Sequence, residues 1–191
     1  MRKIILVPLV ATAAATIGVL GTVSSAAAEE HMPVPQSATV RVEGADGLSV
    51  DAKADKQTID VIENDASAAV AAANVCGAGY TISTGAWRLP STTTDYGSLY
   101  TWTNGKTSGP SYYDKPICAV FFNDTGVSRY MGVRLKSNYT ADPAKEDFGT
   151  YSSYAGPVYQ NRGYCGTAYA YMENSSGTVL VDSIHTVGAC N

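Results

Sequence analysis

Histidine is nearly absent from this chain, with only His31 and His185 among 191 residues. No Cys-x-x-Cys pair, phosphate-binding glycine loop or dinucleotide fingerprint occurs either. Those gaps remove the usual zinc, nucleotide and redox-cofactor classes, and no cofactor is expected. Aromatic residues are missing from everything before Tyr80. From Cys76 onward, eight acidic residues balance eight basic ones. A balanced charge gives no electrostatic reason to expect nucleic acid as a partner. Beyond the first thirty residues no apolar run is long enough to cross a bilayer, so no stable membrane insertion is expected of the mature chain.

What is present begins with an export signal. Met1, Arg2 and Lys3 precede an apolar stretch from Ile4 to about Val23, and Ser24-Ser25-Ala26-Ala27-Ala28 comes before Glu29-Glu30. A cationic start, an apolar middle and an Ala-x-Ala site make a secretory signal peptide over residues 1–28. A membrane anchor is the competing reading. Pro8, the many alanines and the acidic flank argue against it. The expected location is secreted and extracellular.

Residues 29–73 read differently from the rest. From Glu29 to Val75 nine acidic residues face three basic ones, and no aromatic side chain occurs. Burial of large side chains is what offsets the entropy of ordering a chain, so this segment reads as a flexible acidic linker or pro-segment. Ala66 to Ala73 favours helix by propensity, although so short a helix is marginal alone. The globular unit is expected to cover residues 74–191.

Its four cysteines, Cys76, Cys118, Cys165 and Cys190, are an even number in an exported chain, which is the condition for a disulfide framework. Four cysteines allow three pairings, and composition does not choose among them. Cys165 opens one expected strand and Cys190 follows the end of the next, so an antiparallel hairpin would bring them together. That favours Cys165 with Cys190, and hence Cys76 with Cys118. Loops of this size stabilise by roughly 3 to 4 kcal/mol each in the chain-entropy model.

The unit reads as strands. Met131, Val133 and Leu135 alternate with Tyr130, Arg134 and Lys136, placing apolar groups on one face and charge on the other. Further strand signals run over Tyr80 to Ser83, Leu99 to Thr103, Ile117 to Phe122, Tyr164 to Met172 and Thr178 to Thr186. Asn104-Gly105, Asp124-Thr125-Gly126 and Asn174-Ser175-Ser176-Gly177 separate them with turn chemistry. The expected fold is all-β, an antiparallel sandwich or barrel. Tyr139 to Asp147 is the best place for a helical turn or a long loop, and Gly156-Pro157 is expected to break a strand.

Two runs carry a resemblance. Asn74-Val75-Cys76-Gly77-Ala78-Gly79-Tyr80 opens the unit, and Phe148-Gly149-Thr150-Tyr151-Ser152-Ser153-Tyr154-Ala155-Gly156-Pro157-Val158-Tyr159 lies late in it. With the positions of Cys118, Cys165 and Cys190, they resemble spore-associated protein A, a small exported family of filamentous spore-forming bacteria. The resemblance covers roughly Asn74 to Asn191. It implies a place on or around spores and aerial cells and a non-enzymatic or unknown role; the expected function is a structural or interaction one without evident catalysis, with spore or cell-wall surface components as partners. It carries over no catalytic residue.

Candidate chemistry is sparse. Asp182, Ser183 and His185 contain the elements of a hydrolytic triad, but neighbours on one strand do not converge as a triad requires. Asp142, Glu146 and Asp147 offer oxygens to Ca²⁺, yet an isolated acidic loop is more often solvated surface, so no metal is expected. Tyr96, Tyr100, Trp102, Tyr112 and Tyr113 crowd around a polar loop, where stacking rings would grip a glycan or protein. This cluster is the candidate binding patch. A carbohydrate-binding β module and a small extracellular protease inhibitor stand as alternatives to the surface-protein reading.

Overall fold

The alternation that marks the strands also decides how they are layered. The computed structural model describes residues 39–41, 47–91 and 94–188, all within one unit, Val34–Asn191. Its strands are β1 (Thr39–Arg41), β2 (Ser49–Asp51), β3 (Ile82–Leu89), β4 (Gly97–Thr103), β5 (Ile117–Asn123), β6 (Arg129–Lys136), β7 (Lys145–Tyr151), β8 (Tyr154–Gln160), β9 (Thr167–Glu173) and β10 (Val179–Thr186). Helices α1 (Lys56–Asn64) and α2 (Ala66–Cys76) lie between β2 and β3. One sheet has the order β1-β2-β3-β4-β5-β8 and the other β10-β9-β6-β7. All pairings are antiparallel except β2 with β3.

The sandwich core lies between the sheets. Leu99, Ile117, Ala119 and Phe121 from one sheet meet Met131, Val133, Leu135, Ala168, Ala170, Met172 and Val181 from the other. These are alternate positions of each strand, as period-two patterning requires. The all-β expectation holds for this part of the chain.

A second core corrects the domain boundary. Leu48, Val50, Val61, Ile62, Ala69, Ala72 and Ala73 pack against Ala86, Tyr100, Trp102 and Val120 on the outer face of the six-stranded sheet. The described part of the segment expected to be a disordered linker is therefore folded. Two caps explain how an aromatic-free stretch achieves this. The Asp55 carboxylate accepts from Thr58 N–H at 2.7 Å, and Asp65 accepts from Ala68 N–H at 3.1 Å, satisfying amides that open each helix. Thr58 Oγ1 then accepts from Ala86 N–H at 3.2 Å, beside the register shift between Ser83 and Gly85. On α2 the inward residues are alanines, small enough for the helix backbone to lie close on the sheet. The sheet supplies the aromatic bulk that the helices lack.

Two local expectations also change. Of Tyr139 to Asp147, residues 139–144 form the expected loop, but Lys145, Glu146 and Asp147 open strand β7. Gly156 and Pro157 lie inside β8, which is a sheet edge, where the missing proline N–H is tolerated. Gly156 has φ +100°, next to the register shift between Ala119 and Phe121. A Cβ there would sit 2.8 Å from the Ala119 carbonyl oxygen, so the bulge needs glycine.

Candidate ligand-binding face

Helices cover one outer face of the sandwich. Among the described residues nothing covers the other, the outer face of β10-β9-β6-β7. Strand pairing arranges it in rows. Glu146, Arg134, Tyr169 and Ile184 form one row; Phe148, Gly132, Tyr171 and Asp182 form the next; Thr150, Tyr130, Glu173 and Val179 form the third. Their alternates on β6, β9 and β10 are buried in the core, which fixes this set as outward.

Phe148, Tyr169 and Tyr171 make a series of near-parallel rings. Phe148 and Tyr169 have centroids 6.4 Å apart at 29°, and Tyr169 and Tyr171 are 6.4 Å apart at 25°. Gly132 makes the arrangement possible: a Cβ at that position would meet the Phe148 ring at 2.1 Å. The Arg134 guanidinium lies 5.4 Å from both the Phe148 and Tyr169 centroids, and its Nε donates to Glu146 at 2.5 Å. Tyr171 donates its hydroxyl to Glu173, and that carboxylate holds the phenol pKa up at about 12. Burial, and then an Asp182 hydrogen bond, raise the Tyr169 phenol as well. Three large apolar side chains stand well exposed on the same face: Tyr130 at 46%, Val179 at 48% and Ile184 at 66%. Rings with fixed planes, framed by oriented carboxylates and a guanidinium, can stack on a ligand's apolar side while bonding its hydroxyls.

The aromatic cluster expected around the polar loop does not form a surface patch. Tyr100 and Trp102 are buried, at 1% and 0% exposure. Two residues apart on β4, they point to the same side, and that side is the one under the helical layer. Tyr96 packs against the opposite core. Tyr112 and Tyr113 pack around the buried Tyr164, at 5.6 and 6.2 Å, with the Lys115 ammonium 3.7 Å from the Tyr112 centroid. That cluster anchors the loop before β5.

Of the triad residues, Ser183 and His185 share a face. Ser183 Oγ is 2.9 Å from His185 Nε2, and the imidazole stacks on Trp87 at 4.5 Å. Asp182 points to the opposite face, so the three do not converge. Burial lowers the His185 pKa, with Asp55 acting against it. The three acidic candidates for Ca²⁺ are also dispersed. Asp142 binds Arg162, Glu146 binds Arg134, and Asp147 accepts from Tyr151 Oη and Gly156 N–H. No cluster able to hold a metal occurs among the described residues.

Cys76 and Cys118 form a disulfide, as expected. Cys165 is disulfide-bonded too, while Cys190, its expected partner, lies outside the described residues. The chain matches no protein-family model, no curated protein and no solved structure.

Proposed function

We propose that this chain is an exported surface protein, of the kind resembling spore-associated protein A, that binds a polysaccharide through the outer face of β10-β9-β6-β7. The observation that carries the reading is the near-parallel series Phe148, Tyr169 and Tyr171, interleaved with Arg134, Glu146 and Glu173. Pyranose rings have apolar C–H faces rimmed by hydroxyls. Aromatic faces attract the former, and oriented ions bond the latter. The leader-like first 28 residues and the disulfide framework support export.

Size favours a glycan over a protein partner. Four strands and three rows span about 19 by 20 Å, on the order of 400 Å². A stable protein interface buries about 800 Å² per partner, whereas a patch of a few hundred Å² is a common size for a functional one.

The test is a pull-down of the secreted protein on chitin, cellulose and peptidoglycan, with Tyr169→Ala as the control. Losing a central stacking ring should weaken binding by about 1 to 2 kcal/mol, five- to thirty-fold. Binding that survives Tyr169→Ala and Phe148→Ala at full strength would remove the case for this face.

A further inference from the structure

We infer that the binding face continues, past its Arg134–Tyr169–Ile184 row, into a subsite for a carboxylated sugar, and that the strand it takes is the glycan backbone of peptidoglycan freed of its stem peptides; this rests on the polysaccharide reading above. The next row in register is Lys136, Thr167 and Thr186. There the flat surface gives way to a concavity of about 380 Å³, lined by Lys136, Asn138, Thr140, Thr167 and Ile184 among others. Ile184 belongs to both the face and the hollow, so one ligand can occupy the two without a break. The volume lies at the lower end of the range for small-molecule pockets, and its mostly apolar surface carries a few hydroxyls, an amide and the Lys136 ammonium.

The walls are held in place before any ligand arrives. Ser137 Oγ donates to the Arg162 carbonyl at 2.7 Å and accepts from Tyr139 N–H at 3.1 Å. Cys165 N–H donates to the Val187 carbonyl and Val187 N–H to the Gly166 carbonyl, both at 3.0 Å. Gly166 lies so close to the Lys136 carbonyl that a Cβ would meet that oxygen at 2.1 Å. A site whose backbone is already fixed loses little entropy on binding.

Charge then decides what the hollow accepts. The flat face carries Glu146, Glu173 and Asp182, and its one guanidinium is occupied by Glu146. An anionic substituent is disfavoured over those carboxylates. Among the described residues the lining of the hollow contains Lys136 and no carboxylate, and none of their ion pairs uses Lys136. Neutral rings therefore belong on the aromatic series and an acidic ring at Lys136. Wall glycan whose stem peptides have been hydrolysed off has that pattern: an aminosugar chain of the chitin type in which every second ring carries a lactyl ether, its carboxylate freed when the amide to the peptide is cleaved.

Chitin oligomers and peptide-free wall glycan strands share a backbone and differ in that carboxylate, which makes them a matched pair of probes. Titrating the secreted protein with hexamers of each should give about five-fold tighter binding of the wall strand at low salt. The advantage should vanish in about 1 M salt, where the Debye length falls to about 3 Å. It should also vanish in Lys136→Gln while persisting in Lys136→Arg, and affinity for the chitin hexamer should not move. Chemical-shift changes at Gly166 and Thr167 amides, seen with the wall strand alone, would locate the contact. Equal affinity for both hexamers overturns the subsite and leaves the aromatic face standing. No binding of either hexamer overturns the face and the subsite together.

Discussion

Producing the chain from Asn74 onward removes β1, β2, α1 and α2 up to its last turn, while keeping β3 to β10 and the Cys76–Cys118 bond. The loss can be worked from the covered sheet face. Tyr100, Trp102 and Val120, each at 1% exposure or less, lose their cover at roughly 2 to 3 kcal/mol per side chain, a total of about 6 to 9 kcal/mol. The Ala86 amide also loses its Thr58 partner, and a buried donor left unmade costs about 1 to 3 kcal/mol. Single domains have only about 5 to 15 kcal/mol in all, so the shortened chain should show no cooperative transition. Near-ultraviolet circular dichroism through a thermal melt, comparing the full and shortened chains after oxidative refolding, is the assay. Ile62→Ala supplies a graded arm, with an expected loss of about 2 to 5 kcal/mol. A shortened chain that melts cooperatively within a few degrees of the full one would refute the claim that the helical layer is integral to the fold.

Three further outcomes follow from the same geometry. Replacing Cys76 and Cys118 together by Ala opens a bridge with a sequence separation of 42; the expected loss is about 4 kcal/mol, read from urea midpoints, and a loss under about 1 kcal/mol would contradict it. Because burial lowers the His185 pKa, the unfolded chain binds more protons than the folded one below about pH 6.5, and stability falls as pH drops through that value. His185→Gln should flatten this part of the melting-temperature profile, and an unchanged slope would assign it elsewhere. Gly132→Ala should leave the sheets intact but displace the Phe148 ring, lowering glycan retention several-fold; full retention would show that the ring's seat is immaterial.

The strands of the sandwich were legible because period two is a property of single segments. Tyr130, Arg134 and Lys136 were readable as one face in that way. Their meeting with Phe148, Tyr169 and Tyr171 was not, since it depends on register among β6, β7 and β9, which no single segment encodes. The loop cluster failed for a related reason: Tyr100 and Trp102 are neighbours on one face, but whether that face is wet depends on what lies over it. The helical layer was misread because its own composition is too poor in large side chains to form a core. Its partners for packing are supplied by residues distant in sequence; locally, only the helix propensity of Ala66 to Ala73 and the capping chemistry of Asp55 and Asp65 point to it.

The Cys76–Cys118 bond joins the end of α2 to β5, the strand beside the β8 edge, stapling the helical cover to the sheet it shields. Where thiols are kept reduced that staple is open, and the cover is held by apolar contact together with the Thr58–Ala86 hydrogen bond and the Arg88–Asp65 ion pair. Oxidation of this pair thus closes a covalent loop between the last turn of α2 and the sheet face it covers, which should leave the reduced chain looser over its aromatic underside than the oxidised one.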